Sequence, residues 1–82
     1  MLKLRFFASL KDLIGKSEMD VELETETSVR EILQRLETRF PRLEQYEPIL
    51  LVAVNQEYSN LDALVSPGDE VSFFPPVSGG SR

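Results

Sequence analysis

Glu70-Val71-Ser72-Phe73-Phe74-Pro75-Pro76-Val77-Ser78-Gly79-Gly80 reads as a strand that is stopped and then drawn out into a thin arm. Alternation puts Val71 and Phe73 on an inner face and Ser72 and Phe74 on the opposite one. Two prolines end the strand, because proline has no N–H for a ladder and holds φ near the extended value. Val77 and Ser78 then lead to Gly79 and Gly80, which lack a Cβ and can pass a gap that no other residue fits. At roughly 3.3 Å per extended residue, Pro75 to Gly80 reaches about 20 Å, enough to enter another protein's active site. A glycine-rich stretch taken alone is equally the composition of a flexible chain end. The strand end and double proline ahead of the glycines distinguish this one, since a linker has no need of them.

Working back, Ser66-Pro67-Gly68-Asp69 fits a type II turn, with proline at the second position and glycine at the third, where φ is positive. Residues 2–7 alternate, with Leu2, Leu4 and Phe6 on one side and Lys3, Arg5 and Phe7 on the other, the period of a half-buried strand. Phe7 shares a face with two cations, so it is either covered by a local segment or available to a partner. Ala8–Ile14 carries Leu10, Leu13 and Ile14 at helical spacing before Gly15, which can end the turn. Met19, Val21 and Leu23 alternate with acidic residues as a second strand, which pairs most simply with the first as a hairpin. Ser28 and Glu31 form an S-x-x-E capping box, in which hydroxyl and carboxylate each satisfy a free backbone donor. The helix it opens places Val29, Ile32, Leu33, Leu36 and Phe40 in one apolar stripe, read as core, and Pro41 closes it. Residues 42–48 read as loop, 49–54 as a buried strand, and 55–57 as the turn after it. Residues 58–65 read as one or two short edge strands with Leu61 and Leu64 facing inward. The order implies an α+β roll, with one helix covering one face of a mixed sheet and the second face mostly open. If the first and last strands pair at its centre, Phe7 and Phe74 become neighbours on the open face, where adjacent aromatics mark a partner site unless a loop covers them.

Composition narrows the chemistry. The 82 residues make one domain, small enough that only about 60–65% of the unfolded surface can be buried. There is no cysteine and no histidine, which removes the usual nucleophile, general base and transition-metal ligands. No metal site is expected, and an enzyme acting alone is disfavoured. A net charge of −5 opposes binding to nucleic acid or to an anionic membrane surface. No apolar run reaches the length of a membrane span, and the first residues lack the apolar core of a signal peptide, so the expected location is cytoplasmic.

The segments Leu4-Arg5-Phe6-Phe7-Ala8, Val54-Asn55-Gln56, Gly68-Asp69-Glu70-Val71 and above all Phe73 to Gly80 resemble the small subunit of molybdopterin synthase, a ubiquitin-like sulfur carrier. The resemblance implies a β-grasp fold, taken here as residues 1–75, with residues 76–82 as an extended tail carrying Gly79-Gly80. It implies that an ATP-using, ubiquitin-activating-type adenylyltransferase activates the Gly80 carboxylate, and that persulfide sulfur then displaces AMP to leave a thiocarboxylate. The chain itself has no G-x-x-x-x-G-K phosphate loop, so the nucleotide belongs to the partner and no cofactor is expected on this chain. The tail would deliver sulfur inside the large subunit to the pyranopterin precursor of the molybdenum cofactor, making this the sulfur-donating half of a two-component sulfurtransferase. Carried over by position, Gly80 is the reacting residue and Gly79 threads the channel. Phe7, Lys11, Tyr58, Phe74, Pro75, Pro76 and Val77 would contact the large subunit; Lys11 stands where members often have arginine and offers no bidentate fork. Members of the resembled family end at the second glycine, whereas Ser81 and Arg82 follow here. An amide at Gly80 offers no carboxylate, so either the two residues are removed, or they are foreign to the native chain, or carrier activity is lost. Two other readings stay open: a thiamine-type or other sulfur carrier, and a ubiquitin-like module that docks or conjugates without sulfur chemistry.

Overall fold

The computed structural model describes residues 1–76. Strand β1 (Leu2–Phe6) buries Leu2, Leu4 and Phe6 and leaves Lys3 exposed. Helix α1 (Ser9–Ile14) follows and ends at Gly15, whose φ of 91° is the left-handed cap expected of it. Strand β2 (Glu18–Val21) returns antiparallel to β1, with Leu4 opposite Met19. A two-residue strand β3 (Thr27–Ser28) leads directly into helix α2 (Val29–Arg39), whose Val29, Ile32, Leu33 and Leu36 are buried. Beyond it come β4 (Leu51–Val54), β5 (Glu57–Ser59), β6 (Leu64–Val65) and β7 (Glu70–Phe74). The main sheet runs β2-β1-β7-β4-β5, with β1 and β7 parallel at its centre and every other pairing antiparallel. This is the mixed sheet with one covering helix read from the sequence.

Several local readings need correction. The expected loop over residues 42–48 is instead a 3-10 helix, Pro41–Ile49, with proline in its first turn and Leu43 buried against the core. Proline suits that first position because its missing N–H would be unpaired there anyway. The strand expected from residue 49 begins at Leu51, since the 3-10 turn ends at Ile49, which is half exposed. Leu64 does not face inward: it is 60% exposed while Val65 is fully buried, because the two-stranded ladder of β3 with β6 sets the opposite parity. The capping box is half formed. Ser28 Oγ accepts from Glu31 N–H at 3.2 Å, but the Glu31 carboxylate takes the Thr27 hydroxyl at 2.9 Å. The start of α2 is tied further by Val29 and Arg30 N–H donating to the carbonyls of Ala63 and Leu61.

Two marker segments of the sequence meet in one network. Asn55 and Gln56 form the two-residue loop between β4 and β5, with φ of 51° and 72°, the type I′ geometry that fits the twist of a hairpin. Asn55 Oδ1 accepts from Glu70 N–H at 3.0 Å, and its Nδ2 donates to Asp69 Oδ1 at 3.2 Å. Asp69 Oδ2 accepts from Ser66 N–H at 2.8 Å, and the turn closes with Asp69 N–H on Ser66 O at 3.0 Å around Gly68, φ 97°. The backbone donation from Ser66 and the amide of Asn55 hold the Asp69 carboxyl below its ordinary value. Gly68 N–H also reaches Met1 O, and Lys3 N–H reaches Asp69 O, so this turn fixes the entry to both central strands. We expect Asn55→Ala to lower stability by about 1–3 kcal/mol, the cost of stranding several polar partners at once, read as a lower midpoint in urea unfolding with an unchanged slope.

A second titratable group faces the other way. Burial pushes the Glu37 carboxyl up to about 7, and a hydrogen bond shared with Glu47 and the charges of Glu47 and Glu44 act in the same direction. Glu37 lies on α2 and the other two on the 3-10 helix, so the contact joins two packed elements. A carboxyl whose folded value lies above its ordinary 4.5 favours the folded state when protonated, so stability falls as pH rises from about 4.5 to 7. Glu37→Gln should flatten this slope: its melting temperature should exceed that of the wild type at pH 8, and the difference should close by pH 5.

Candidate functional site: the open sheet face

The parallel register of β1 with β7 pairs Phe6 with Phe73, so the next residues, Phe7 and Phe74, emerge side by side on the face away from α2. Inside, Phe6 and Phe73 stack with centroids 5.9 Å apart; outside, Phe7 and Phe74 stack at 4.6 Å and 11°. Both outer rings are half-buried, and each is stacked on the other. Tyr58 on edge strand β5 sits with its ring centroid 6.2 Å from Phe74, tilted by 55°, and is 80% exposed. With Leu51, Pro75, Pro76 and Ala8 these rings line a groove of about 420 Å³ whose lining, among the described residues, carries no charged side chain. An exposed apolar surface of this kind is the signature of a protein contact rather than of a small-molecule cavity, since it is broad and unenclosed.

The groove has a polar neighbour. Arg5 lies 5.6 Å from the centre of the Phe7 ring and 3.5 Å from Glu70 Oε2, an ion pair across the central strands. Arg5, Gln56, Glu70 and Ser72 line an adjoining depression of about 260 Å³, and Ser72 there is buried, only 6% exposed. Partly exposed ion pairs contribute little to stability. Their effect here is positional: the guanidinium is held beside the Phe7 ring, so the apolar face borders directly on charge. Among the described residues no group of three or more acidic side chains is placed to hold a metal ion.

Of the residues expected at a partner site, Phe7, Tyr58, Phe74, Pro75 and Pro76 converge on the one groove. Lys11 does not join them; it is exposed on α1 and does not line the groove. Val77, Gly79 and Gly80 lie outside the described residues. Sequence reasoning missed Leu51 and Ala8. Leu51 was concealed by a continuous apolar run, in which parity assigns no face until Val52 and Val54 are known to pair inward. Ala8 gives no signal at all, because its place depends on a backbone angle.

Comparison with known proteins now bears on the site. Residues 4–80 match the ThiS family, a span that starts in β1 and stops at the second glycine of the arm. The chain belongs to the ThiS family. Among curated relatives, the molybdopterin synthase sulfur carrier subunit of Haemophilus influenzae is 40% identical over 82 residues, covering 98% of this chain and 100% of that one. Among solved structures, a putative molybdopterin converting factor subunit 1 from Pyrococcus furiosus superposes with a TM-score of 0.79 at 30% identity, over 93% of this chain and 97% of that one. SAMP1 from Haloferax volcanii superposes with a TM-score of 0.82 at 29% identity, over 96% and 98% of the two chains. The shared fold is the ubiquitin-like β-grasp.

Proposed function

We propose that this chain is the sulfur-carrying subunit of a molybdopterin synthase. The single observation that carries the reading is that the aromatic groove and the glycine-bearing terminal segment belong to one stretch of chain: Phe74 contributes its ring to the groove, and Pro75 to Gly80 follow it in the sequence. Near full-length identity to a subunit of that name supports the choice of pathway. Residues 1–75 serve as the folded body and residues 76–82 as the arm. The body docks through Phe7, Tyr58, Phe74, Pro75 and Pro76 onto the large subunit, while Val77 to Gly80 pass into its active site. Lys11 is outside the groove and would serve at its margin.

The chemistry assigned to the arm follows from what a peptide end can do. A free carboxylate is a poor acyl donor, so an adenylating partner joins AMP to Gly80 and makes a good leaving group. The terminal sulfur of a persulfide on a donor protein attacks the acyl-adenylate and expels AMP, forming an acyl disulfide. A second thiol of the donor then cleaves the S–S bond, is oxidised to a disulfide with the first, and leaves Gly80 as a thiocarboxylate. ATP binds to the activating partner, and this chain holds no resident cofactor. Docking occurs in the cytoplasm, where soluble synthase components meet; among the described residues no helix is long and apolar enough to cross a membrane. Because Ser81 follows Gly80, the Gly80–Ser81 peptide bond must be hydrolysed before the carboxylate exists. That residues 4–80 are the part matching the family supports Gly80 as the working end.

Intact mass spectrometry of the protein from its native host, and again after incubation with the activating enzyme, ATP and a persulfide donor, tests the carrier chemistry. The expected species ends at Gly80 with one oxygen replaced by sulfur; a chain that keeps Arg82 and stays unmodified in both samples would sink the proposal. The two halves of the molecule should also separate by mutation in chains ending at residue 80. Phe74→Ala should weaken association with the large subunit at least tenfold, as loss of a central aromatic contact does. Gly80→Ala should bind nearly as well as the wild type yet transfer sulfur poorly, because its methyl group blocks the channel. Equal binding by a chain lacking Gly79 and Gly80, with no sulfur loading of the intact one, would instead identify a docking module.

A further inference from the structure

Three residues other than glycine have positive φ among those described: Ala8, Asn55 and Gln56. The last two occupy the central positions of a type I′ hairpin, where that conformation is required and asparagine is well suited. Ala8 has no such excuse. Its φ of 52° and ψ of −128° match the first central position of a type II′ turn, and Leu10 N–H closes that turn on Phe7 O at 3.1 Å. The position strongly favours glycine, since a Cβ collides with the local backbone there. The conformation is nonetheless fixed, because Ala8 O accepts from both Lys11 N–H at 3.0 Å and Asp12 N–H at 3.3 Å and so begins α1.

Among the described residues, the Ala8 methyl has no place in the core that would offset this strain. Ala8 is exposed and is absent from both the buried core and the side chains packed around it. It does line the apolar groove, together with Phe7, Phe74, Pro75 and Pro76. A glycine would relax the turn and leave the groove wider and bare of one carbon. Strained residues of this kind collect at sites where the surroundings use them.

We infer that the Ala8 methyl is a contact of the partner interface, shaping one wall of the groove around an apolar side chain of the large synthase subunit and retained at a cost to the carrier's own stability. The occupant's chemistry follows from the lining, which among the described residues is aromatic, aliphatic and prolyl with no charge, so an aliphatic or aromatic side chain fits and a charged one would be desolvated without a partner. The inference rests on the sulfur-carrier reading given above.

Its test uses the purified large subunit and three forms of the chain ending at residue 80: wild type, Ala8→Gly and Ala8→Ser, with Phe74→Ala as control. Ala8→Gly should raise the melting temperature by several degrees while weakening association about three- to tenfold. Ala8→Ser, which keeps the Cβ and the strain, should melt no higher than the wild type. If Ala8→Gly binds as tightly as the wild type while Phe74→Ala does not, the interface stands and the role of Ala8 is overturned. If Ala8→Gly fails to melt higher, the strain premise is overturned. If the wild type itself does not bind the large subunit, the sulfur-carrier reading fails and takes this inference with it.

Discussion

The parallel pairing of the first and last strands at the centre of the sheet is the constraint on which the rest of the molecule depends. Parallel neighbours cannot be joined by a tight turn, so everything between residues 7 and 69 serves as the crossover that makes this pairing reachable. Its register does two things at once. Phe6 and Phe73 stack within the core under α2, and one residue further along each strand Phe7 and Phe74 stack on the outside. A shift of register by one residue would turn both pairs over and put polar side chains into the core. The partner face and the core are therefore two sides of one strand pairing, and neither can drift without the other.

Since a small domain has little stability to spare, the ends of those central strands are fixed by hydrogen bonds rather than by more apolar area. Asn55 bridges the hairpin after β4 to the start of β7, and Asp69 folds the preceding turn back on Ser66. Both residues belong to short marker segments that lie far apart in the chain. Their meeting explains why those segments carry the residues they do: each supplies donors or acceptors that would otherwise be unpaired at a strand end. At the opposite side of the domain, three carboxyls gather where α2 meets the 3-10 helix, and the domain is held there most firmly when Glu37 keeps its proton.

Function is divided along the same line. The folded body carries neither histidine nor cysteine, and among its described residues no cluster is placed to hold a metal ion. What it positions is a proline-stiffened strand end beside an apolar groove, an arrangement suited to presenting a slender arm to another protein. The abrupt border between the Phe7 ring and the Arg5–Glu70 pair gives that presentation an orientation, because a docking partner must match apolar surface on one side and charge on the other.

The alternation in β1 and β7, the stripe of α2, the Gly15 cap and the Pro67-Gly68 turn were legible in the sequence, because their signals are local or periodic. Tertiary structure alone decided which of these signals meet. That Tyr58 reaches Phe74 while Lys11 stays apart depends on strand order, which no local pattern encodes. Residues 41–49 became a 3-10 helix rather than a loop because Leu43 found room in the core, and Leu64 turned outward because β6 pairs with β3 across a long sequence separation. The strained angle at Ala8 is the extreme case: alanine's own preference argues against it, and only the hydrogen bonds of the surrounding turn hold it there.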